Sequence, residues 1–153
     1  LASETLWASI IADGFHLPDA VLKVFLKVKQ GKSFLVSDTT RFAGLSPGIY
    51  TTHIGGKVKL DPEGRLSVYE TPQALAGSAK SLLWCVEHLV KKEICTLEAA
   101  WDLASVQPAA FLGDLQPDAL APGMPADLVL FGKTEQGIRV LQTIKSGKIV
   151  FNR

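Results

Sequence analysis

The sequence predicts an α/β protein, and three features carry that prediction. Two short apolar runs, at 7–12 and 33–37, flank a helical pattern at 18–30. A middle stretch of turns leads into further helical segments, and the tail breaks into strand-like runs punctuated by glycine. Strand, helix, strand with short connections is a βαβ unit, whose two strands are expected to be parallel neighbours.

Residues 7–12 (Trp-Ala-Ser-Ile-Ile-Ala) are mostly apolar and end at Asp13-Gly14, which suits a strand buried on both faces followed by a tight turn. From 18 to 30, Val21, Val24, Phe25 and Val28 recur at helical spacing, Leu22 and Leu26 widen the stripe, and Gly31 falls where a helix C′ residue belongs. Lys23, Lys27 and Lys29 are expected on the solvated side of this helix. Residues 33–37 (Ser-Phe-Leu-Val-Ser) form the second buried run, which ends on Asp38.

Residues 41–56, rich in Gly, Ser, Thr and Pro, read as a long loop. The runs 57–60 and 65–69 flank the turn sequence Asp61-Pro62-Glu63-Gly64 and predict a small hairpin. A second loop, 70–77, leads to a helix with Leu82, Leu83, Val86, Leu89 and Val90 on its apolar side. Thr96 is expected to cap a helix carrying Leu97, Ala100, Trp101 and Ala104, and 108–112 to add a turn closed by Gly113. In the tail, 126–131, 140–146 and 148–151 are strand-like, punctuated by Gly132, Gly137 and Gly147, with a hairpin at Ser146-Gly147. Residues 1–113 and 114–153 are therefore expected to form separate parts.

Composition removes several function classes. Sixteen basic residues against fifteen acidic ones give a net charge of +1, which is not the footprint of a nucleic-acid binder. No apolar run approaches the roughly 20 residues that span a bilayer, and residues 1–7 lack the pattern of a secretory signal. Cys85 and Cys95 sit among apolar residues without a CxxC or Cys/His cluster, as reduced thiols of a cytoplasmic protein would.

In a parallel α/β sheet, ligands sit beyond the carboxyl ends of the strands. That rule selects Asp13-Gly14-Phe15-His16 after the first strand and Asp38 after the second, opening on one crevice. Each has a plain alternative: Asp13 as a turn residue, His16 as a surface or capping histidine, Asp38 as a loop cap. A carboxylate straight after Phe34-Leu35-Val36 is costly to bury unless something pairs with it. Leu75-Ala76-Gly77-Ser78 precedes a helix, where small residues let backbone N–H groups approach an anion or carbonyl; Ser78 as a simple N-cap is the alternative. His53 and His88 read as surface residues.

Together these pieces resemble the N-acetylglucosamine-6-phosphate deacetylases of the amidohydrolase superfamily. Ile11-Ala12-Asp13-Gly14-Phe15-His16 resembles their strand-end motif, Leu35-Val36-Ser37-Asp38-Thr39 their catalytic-aspartate strand, and Leu75-Ala76-Gly77-Ser78 their substrate-contacting turn. The segments 105–113 and 120–129 resemble tail motifs found across the superfamily. The resemblance implies the C-terminal part of a (β/α)8 TIM barrel: its last two strands, at 9–12 and 34–38, with their helices, plus part of a small β-sandwich. It implies Asp38 as the catalytic acid/base. Asp13, Gly14, Phe15, His16, Leu75, Ala76 and Gly77 would line an amino-sugar phosphate site, with His16 hydrogen-bonding the substrate.

The family's metal ligands, a Glu and two His, come from earlier strands. A divalent cation, zinc or iron, is thus expected in the intact enzyme and none in this piece, apart from a contact through Asp38. This piece alone is expected to be inactive, and its bare strand edges to favour a homo-oligomer. Thr39-Thr40 stand where the family more often has Ala. Two other readings stay open: another amidohydrolase acting on a cyclic amide or N-acyl amino sugar, or a non-catalytic α/β module that binds an anion or a partner.

Overall fold

The computed structural model describes residues 1–114, 120–135 and 137–153. The chain divides into two compact units, Leu1–Phe111 and Leu112–Arg153.

In the first unit, strand β1 (Ala8–Ile10) runs parallel to β2 (Ser33–Leu35), with Ser9 opposite Phe34, and helix α1 (Asp19–Lys29) connects them. Both strands are shorter than their apolar runs, although Val36 N–H still donates to Ile10 O at 3.0 Å. Pro18 stands at the N-cap of α1 and Gln30 closes it in the left-handed conformation, with Gly31 following at φ 90°.

The buried face of α1 is not the predicted one. Leu22 is fully buried, with Phe25 and Leu26 half-buried beside it, whereas Val21, Val24 and Val28 are exposed. Both sets satisfy helical spacing, and the larger leucine and phenylalanine side chains gain more by burial, about 1.5–3 kcal/mol each when complete. Lys29 follows Leu22 and Phe25 inward and is also buried, contrary to expectation. Its ammonium remains satisfied, because Nζ donates to Ser3 O and Leu6 O at 2.8 Å each.

Residues 41–56 are not all loop. Gly48–Thr51 is a strand, β3, paired antiparallel with β4 (Lys57–Leu60), which pairs in turn with β5 (Leu66–Val68). Gly and Thr masked a strand whose Ile49 and Tyr50 alternate across the sheet. Phe42, Val58, Leu60 and Leu66 form the buried cluster of this sheet, against which Tyr50, Ala76 and Ala79 pack. Gly64 at φ 89° and Arg65 N–H donating to Asp61 Oδ1 at 2.7 Å make the expected turn between β4 and β5.

Helix α2 (Leu82–Lys91) buries Cys85, Val86 and Leu89, and Ser81 rather than Ser78 caps it, accepting from Trp84 N–H at 3.2 Å. Helix α3 (Leu97–Ala104) begins at the expected Thr96 cap and packs on β2 and α2 through Ala100 and Leu103. Helix α4 spans Val106–Leu112. Its Phe111 ring lies 5.7 Å from Trp7 and 5.0 Å from Phe34, centroid to centroid. Ile10, Ala12, Leu22, Leu35, Cys85, Leu89 and Ala100 are the core that holds the carboxyl ends of β1 and β2 in place.

The second unit is an antiparallel sheet of β6 (Leu128–Thr134), β7 (Gly137–Lys145) and β8 (Lys148–Asn152), in that order. Gly132 lies inside β6 rather than between strands, and Gly137 is the first residue of β7. Ser146 and Gly147 turn at φ 47° and 76°, as the hairpin required. Asp127 secures that turn by accepting from Ser146 N–H at 2.6 Å and from the Lys145 ammonium. These contacts hold its carboxyl below the usual 3.8.

Candidate active site

Three chain segments meet at the carboxyl end of the β1–β2 pair, and each is held there by its own backbone chemistry. After β1 the chain folds into an Asx turn. Asp13 Oδ1 accepts from Phe15 N–H at 2.9 Å and from His16 N–H at 3.0 Å, and Gly14 supplies the positive φ of 91°. After β2, Asp38 adopts φ 49°, the left-handed region that Asp tolerates better than most residues. The third segment is the turn before α2: Ser78 N–H donates to Asp38 O at 2.9 Å and Thr40 N–H to Ser78 O at 2.8 Å. The Thr39 hydroxyl adds a bond to Lys80 O.

Gly77 is required by proximity as well as by its φ of 78°. A β-carbon there would come within 2.7 Å of Thr40 Cγ2 and 3.3 Å of Asp38 Oδ2. Leu75 bridges to Ser67, and Ala76 N–H donates to Leu66 O at 3.1 Å, so this turn is fastened to the antiparallel sheet. The Ala76 side chain packs against that sheet's apolar cluster.

At the centre stands His16. Its Nδ1 lies 2.9 Å from Asp13 Oδ2, and its Nε2 faces Asp38 Oδ2 at 3.9 Å, too far for a direct hydrogen bond. The two carboxylates differ in environment. Asp13 is buried at 2 % exposure, whereas the Asp38 side chain is 51 % exposed. Asp38, the carboxylate after 34–36, is therefore not buried and needs no pairing partner; the buried and paired carboxylate is Asp13. Burial pushes the Asp13 carboxyl up, but hydrogen bonds from Phe15, His16 and Ser78 outweigh it and hold it below 3.8, so it is ionised at neutral pH.

Of the predicted residues, Asp13, His16, Asp38 and Gly77 come together. Gly14 and Phe15 contribute backbone, and Leu75 and Ala76 act as the fastening of the turn. Three neighbours were not foreseen. Trp84 Nε1–H donates to Asp13 O at 3.2 Å while the Lys80 ammonium sits 3.9 Å above its ring. His88 is not a surface residue: its side chain is mostly buried, with Nε2 2.9 Å from Asp19 Oδ1 and its ring against Gly14. Helical spacing carries a faint sign of this, since Trp84 and His88 lie one turn apart on the same face of α2.

Two donor atoms, His16 Nε2 and Asp38 Oδ2, remain open, which is fewer than the three or four protein ligands a metal site takes. Among the described residues, no group of three or more His, Cys, Asp and Glu side chains could hold an ion. The residues present do not by themselves fit a metal. No helix of the described residues is long and apolar enough to cross a membrane.

Two carboxylates and a histidine gather beyond the parallel strands, and the relatives of this chain are hydrolytic enzymes of the amidohydrolase type. Sequence and fold alike relate it, along essentially its whole length, to the N-acetylglucosamine-6-phosphate deacetylases. The Caenorhabditis elegans N-acetylglucosamine-6-phosphate deacetylase is 32 % identical over 147 residues, which are 95 % of this chain and 34 % of that protein. The N-acetylgalactosamine-6-phosphate deacetylase of Escherichia coli O157:H7 is 29 % identical over 150 residues, covering 97 % of this chain and 38 % of that protein.

Among solved structures, the N-acetylglucosamine-6-phosphate deacetylase of Thermotoga maritima superposes with a TM-score of 0.82 at 29 % identity, covering 99 % of this chain and 40 % of that one. The Pasteurella multocida deacetylase gives 0.82 at 25 % identity, covering 99 % and 38 %. No protein-family model matches the chain. The chain thus spans about 34–36 % of the length of the first relatives it matches.

Proposed function

We propose that this chain is the part of a sugar-phosphate deacetylase that carries its acid/base residue, Asp38, and that the intact protein hydrolyses N-acetylglucosamine 6-phosphate to glucosamine 6-phosphate and acetate. The observation that carries the reading is the exposed Asp38 carboxylate facing His16 Nε2 at the carboxyl end of two parallel strands. In the proposed reaction Asp38 takes a proton from the attacking water as its oxygen bonds to the acetyl carbon. It returns that proton to the sugar nitrogen as the C–N bond breaks and acetate leaves. His16 orients the substrate, and the turn containing Gly77 lets backbone groups approach it closely.

The proposal extends the parallel pair to a (β/α)8 barrel in the intact protein, with β1 and β2 as its last two strands and the second unit as part of a small β-sandwich. It also assigns to the intact protein a divalent cation, zinc or iron, whose ligands lie outside these 153 residues; such an ion activates water when bound. On this reading the 153-residue chain alone does not turn over substrate and holds no stoichiometric ion, and the intact protein works in the cytoplasm. The similarity to the E. coli galactosamine deacetylase supports a second reading, in which the N-acyl sugar phosphate is the galacto epimer.

The test is acetate release by the intact protein, with N-acetylglucosamine 6-phosphate and N-acetylgalactosamine 6-phosphate offered in parallel. Faster turnover of the galacto sugar would move the assignment to the second reading. Turnover of neither would remove the deacetylase proposal.

A further inference from the structure

Asp13 stands among the residues expected to touch substrate, yet its contacts leave it no atom to do so. Oδ1 accepts from two backbone N–H groups, Phe15 at 2.9 Å and His16 at 3.0 Å. Oδ2 meets His16 Nδ1 at 2.9 Å. With the side chain at 2 % exposure, no face is left toward the opening where Asp38 lies.

A carboxylate only accepts. The nitrogen of His16 that meets it must therefore carry the proton, whatever the state of the rest of the ring. We propose that Asp13 is a positioning residue that locks His16 in the Nδ1–H tautomer and aims Nε2 at the space beside Asp38. This deepens the deacetylase reading, on which the presence of a substrate in that space rests.

The chemistry that follows is specific. In the neutral ring Nε2 is a pure acceptor and serves an O–H or N–H of the bound molecule. It can donate to a carbonyl or phosphate oxygen only as the imidazolium. The two ligand-facing groups, His16 Nε2 and Asp38 Oδ2, are thus both acceptors when His16 is neutral. Held 3.9 Å apart, they suit a ligand that brings two donors, such as the hydroxyl and amide groups of an N-acyl amino sugar.

Ser78 extends the lock to the third segment. Its hydroxyl oxygen accepts from Lys80 N–H at 3.0 Å, its backbone N–H goes to Asp38 O at 2.9 Å, and its hydroxyl helps to lower the Asp13 carboxyl. One residue thereby fastens the Asp38 loop to the turn before α2. The protein carries an internal contrast as well: in His88 it is Nε2 that meets a carboxylate, Asp19 Oδ1 at 2.9 Å, so Nε2 there bears the proton.

Nitrogen-15 spectra of the histidine-labelled 153-residue chain, recorded at a pH where the rings are neutral, read this directly. The His16→Gln variant assigns the resonance. The expected result is a pyrrole-type Nδ1 and a pyridine-type Nε2 in His16, with the opposite pattern in His88. Asp13→Asn, whose amide can donate to Nδ1, should shift His16 toward the Nε2–H form. A wild-type His16 protonated on Nε2 overturns the proposal, and so does a folded Asp13→Asn chain whose His16 stays Nδ1–H. If Asp13→Asn fails to fold, the wild-type spectrum alone decides. Absence of deacetylation by the intact protein would remove the functional reading and leave this result standing.

Discussion

The imidazole of His88 lies directly over Gly14. A β-carbon at Gly14 would come to 3.1 Å from Cε1 and 3.3 Å from Nδ1, while Nε2 is engaged with Asp19 and cannot retreat freely. Gly14 also holds φ 91°. Gly14→Ala should therefore destabilise the chain twice, by about 1–2 kcal/mol for the left-handed backbone and by about 1–3 kcal/mol for overpacking. Chemical denaturation measures the sum, and a loss under about 0.5 kcal/mol, the ordinary range for a surface substitution, would show that the turn can reshape.

Asp38→Asn separates the chemistry of this residue from its backbone role. Asn accepts the left-handed conformation nearly as well as Asp, and the bond from Ser78 N–H to Asp38 O does not involve the side chain. The fold should survive while turnover of the intact protein falls about 10²–10⁴-fold, because a carboxamide cannot shuttle the proton. Steady-state kinetics decide: turnover within about tenfold of wild type would take Asp38 out of the proposed mechanism.

The depressed carboxyl of Asp13 makes a prediction about acid stability. Hydrogen bonds hold it below 3.8 in the folded chain. A group whose folded value is depressed stabilises the fold above its unfolded value, and that contribution is lost as pH falls through the folded one. The acid limb of the unfolding curve below pH 3.8 should therefore be shallower in Asp13→Asn than in wild type. Circular dichroism across that range checks it, and superimposable acid limbs would mean that other carboxylates dominate.

Lys29→Met keeps most of the buried stem and removes only the ammonium that ties Ser3 O and Leu6 O to helix α1. Hydrogen bonds from a charged donor contribute about 1.5–3 kcal/mol. The variant should be less stable by roughly that amount, with early loss of protection in strand β1 by hydrogen exchange. Unchanged β1 protection would show that the stem alone holds the segment.

Val21, Val24 and Val28 line one face of α1 at 36, 47 and 49 % exposure. Together with the bare edges of the two-stranded β1–β2 sheet, this apolar face is expected to favour a homo-dimer or larger assembly at micromolar concentration, which Val24→Lys should weaken. Sedimentation velocity is the measurement. A wild-type monomer would show that this face tolerates water.

Much of this arrangement was legible in the residues. The order of the elements followed from apolar runs of strand length, helical spacing and turn chemistry, each a local property that neighbouring residues express wherever the chain goes. Asp13-Gly14, the Thr96 cap and the Ser146-Gly147 turn are of this kind, since a few adjacent atoms decide them. The rule that parallel sheets present their strand ends to ligands was enough to select Asp13, His16 and Asp38.

What the sequence by itself determined was therefore which segments turn, which run extended and which chemical groups stand at their ends. Only the tertiary structure decided which face of α1 is buried, because two interleaved apolar sets have the same period and the choice depends on what β2 and its neighbours offer. Only it revealed β3, whose Gly and Thr hide a strand until β4 supplies the ladder. Only it separated the two carboxylates, burying Asp13 and leaving Asp38 open, because burial is a property of all the segments that converge on a group. Nothing in the spacing of residues 13, 16, 38 and 78 states that His16 lies between the two carboxylates while Ser78 holds the Asp38 loop. That relation exists once the sheet is closed.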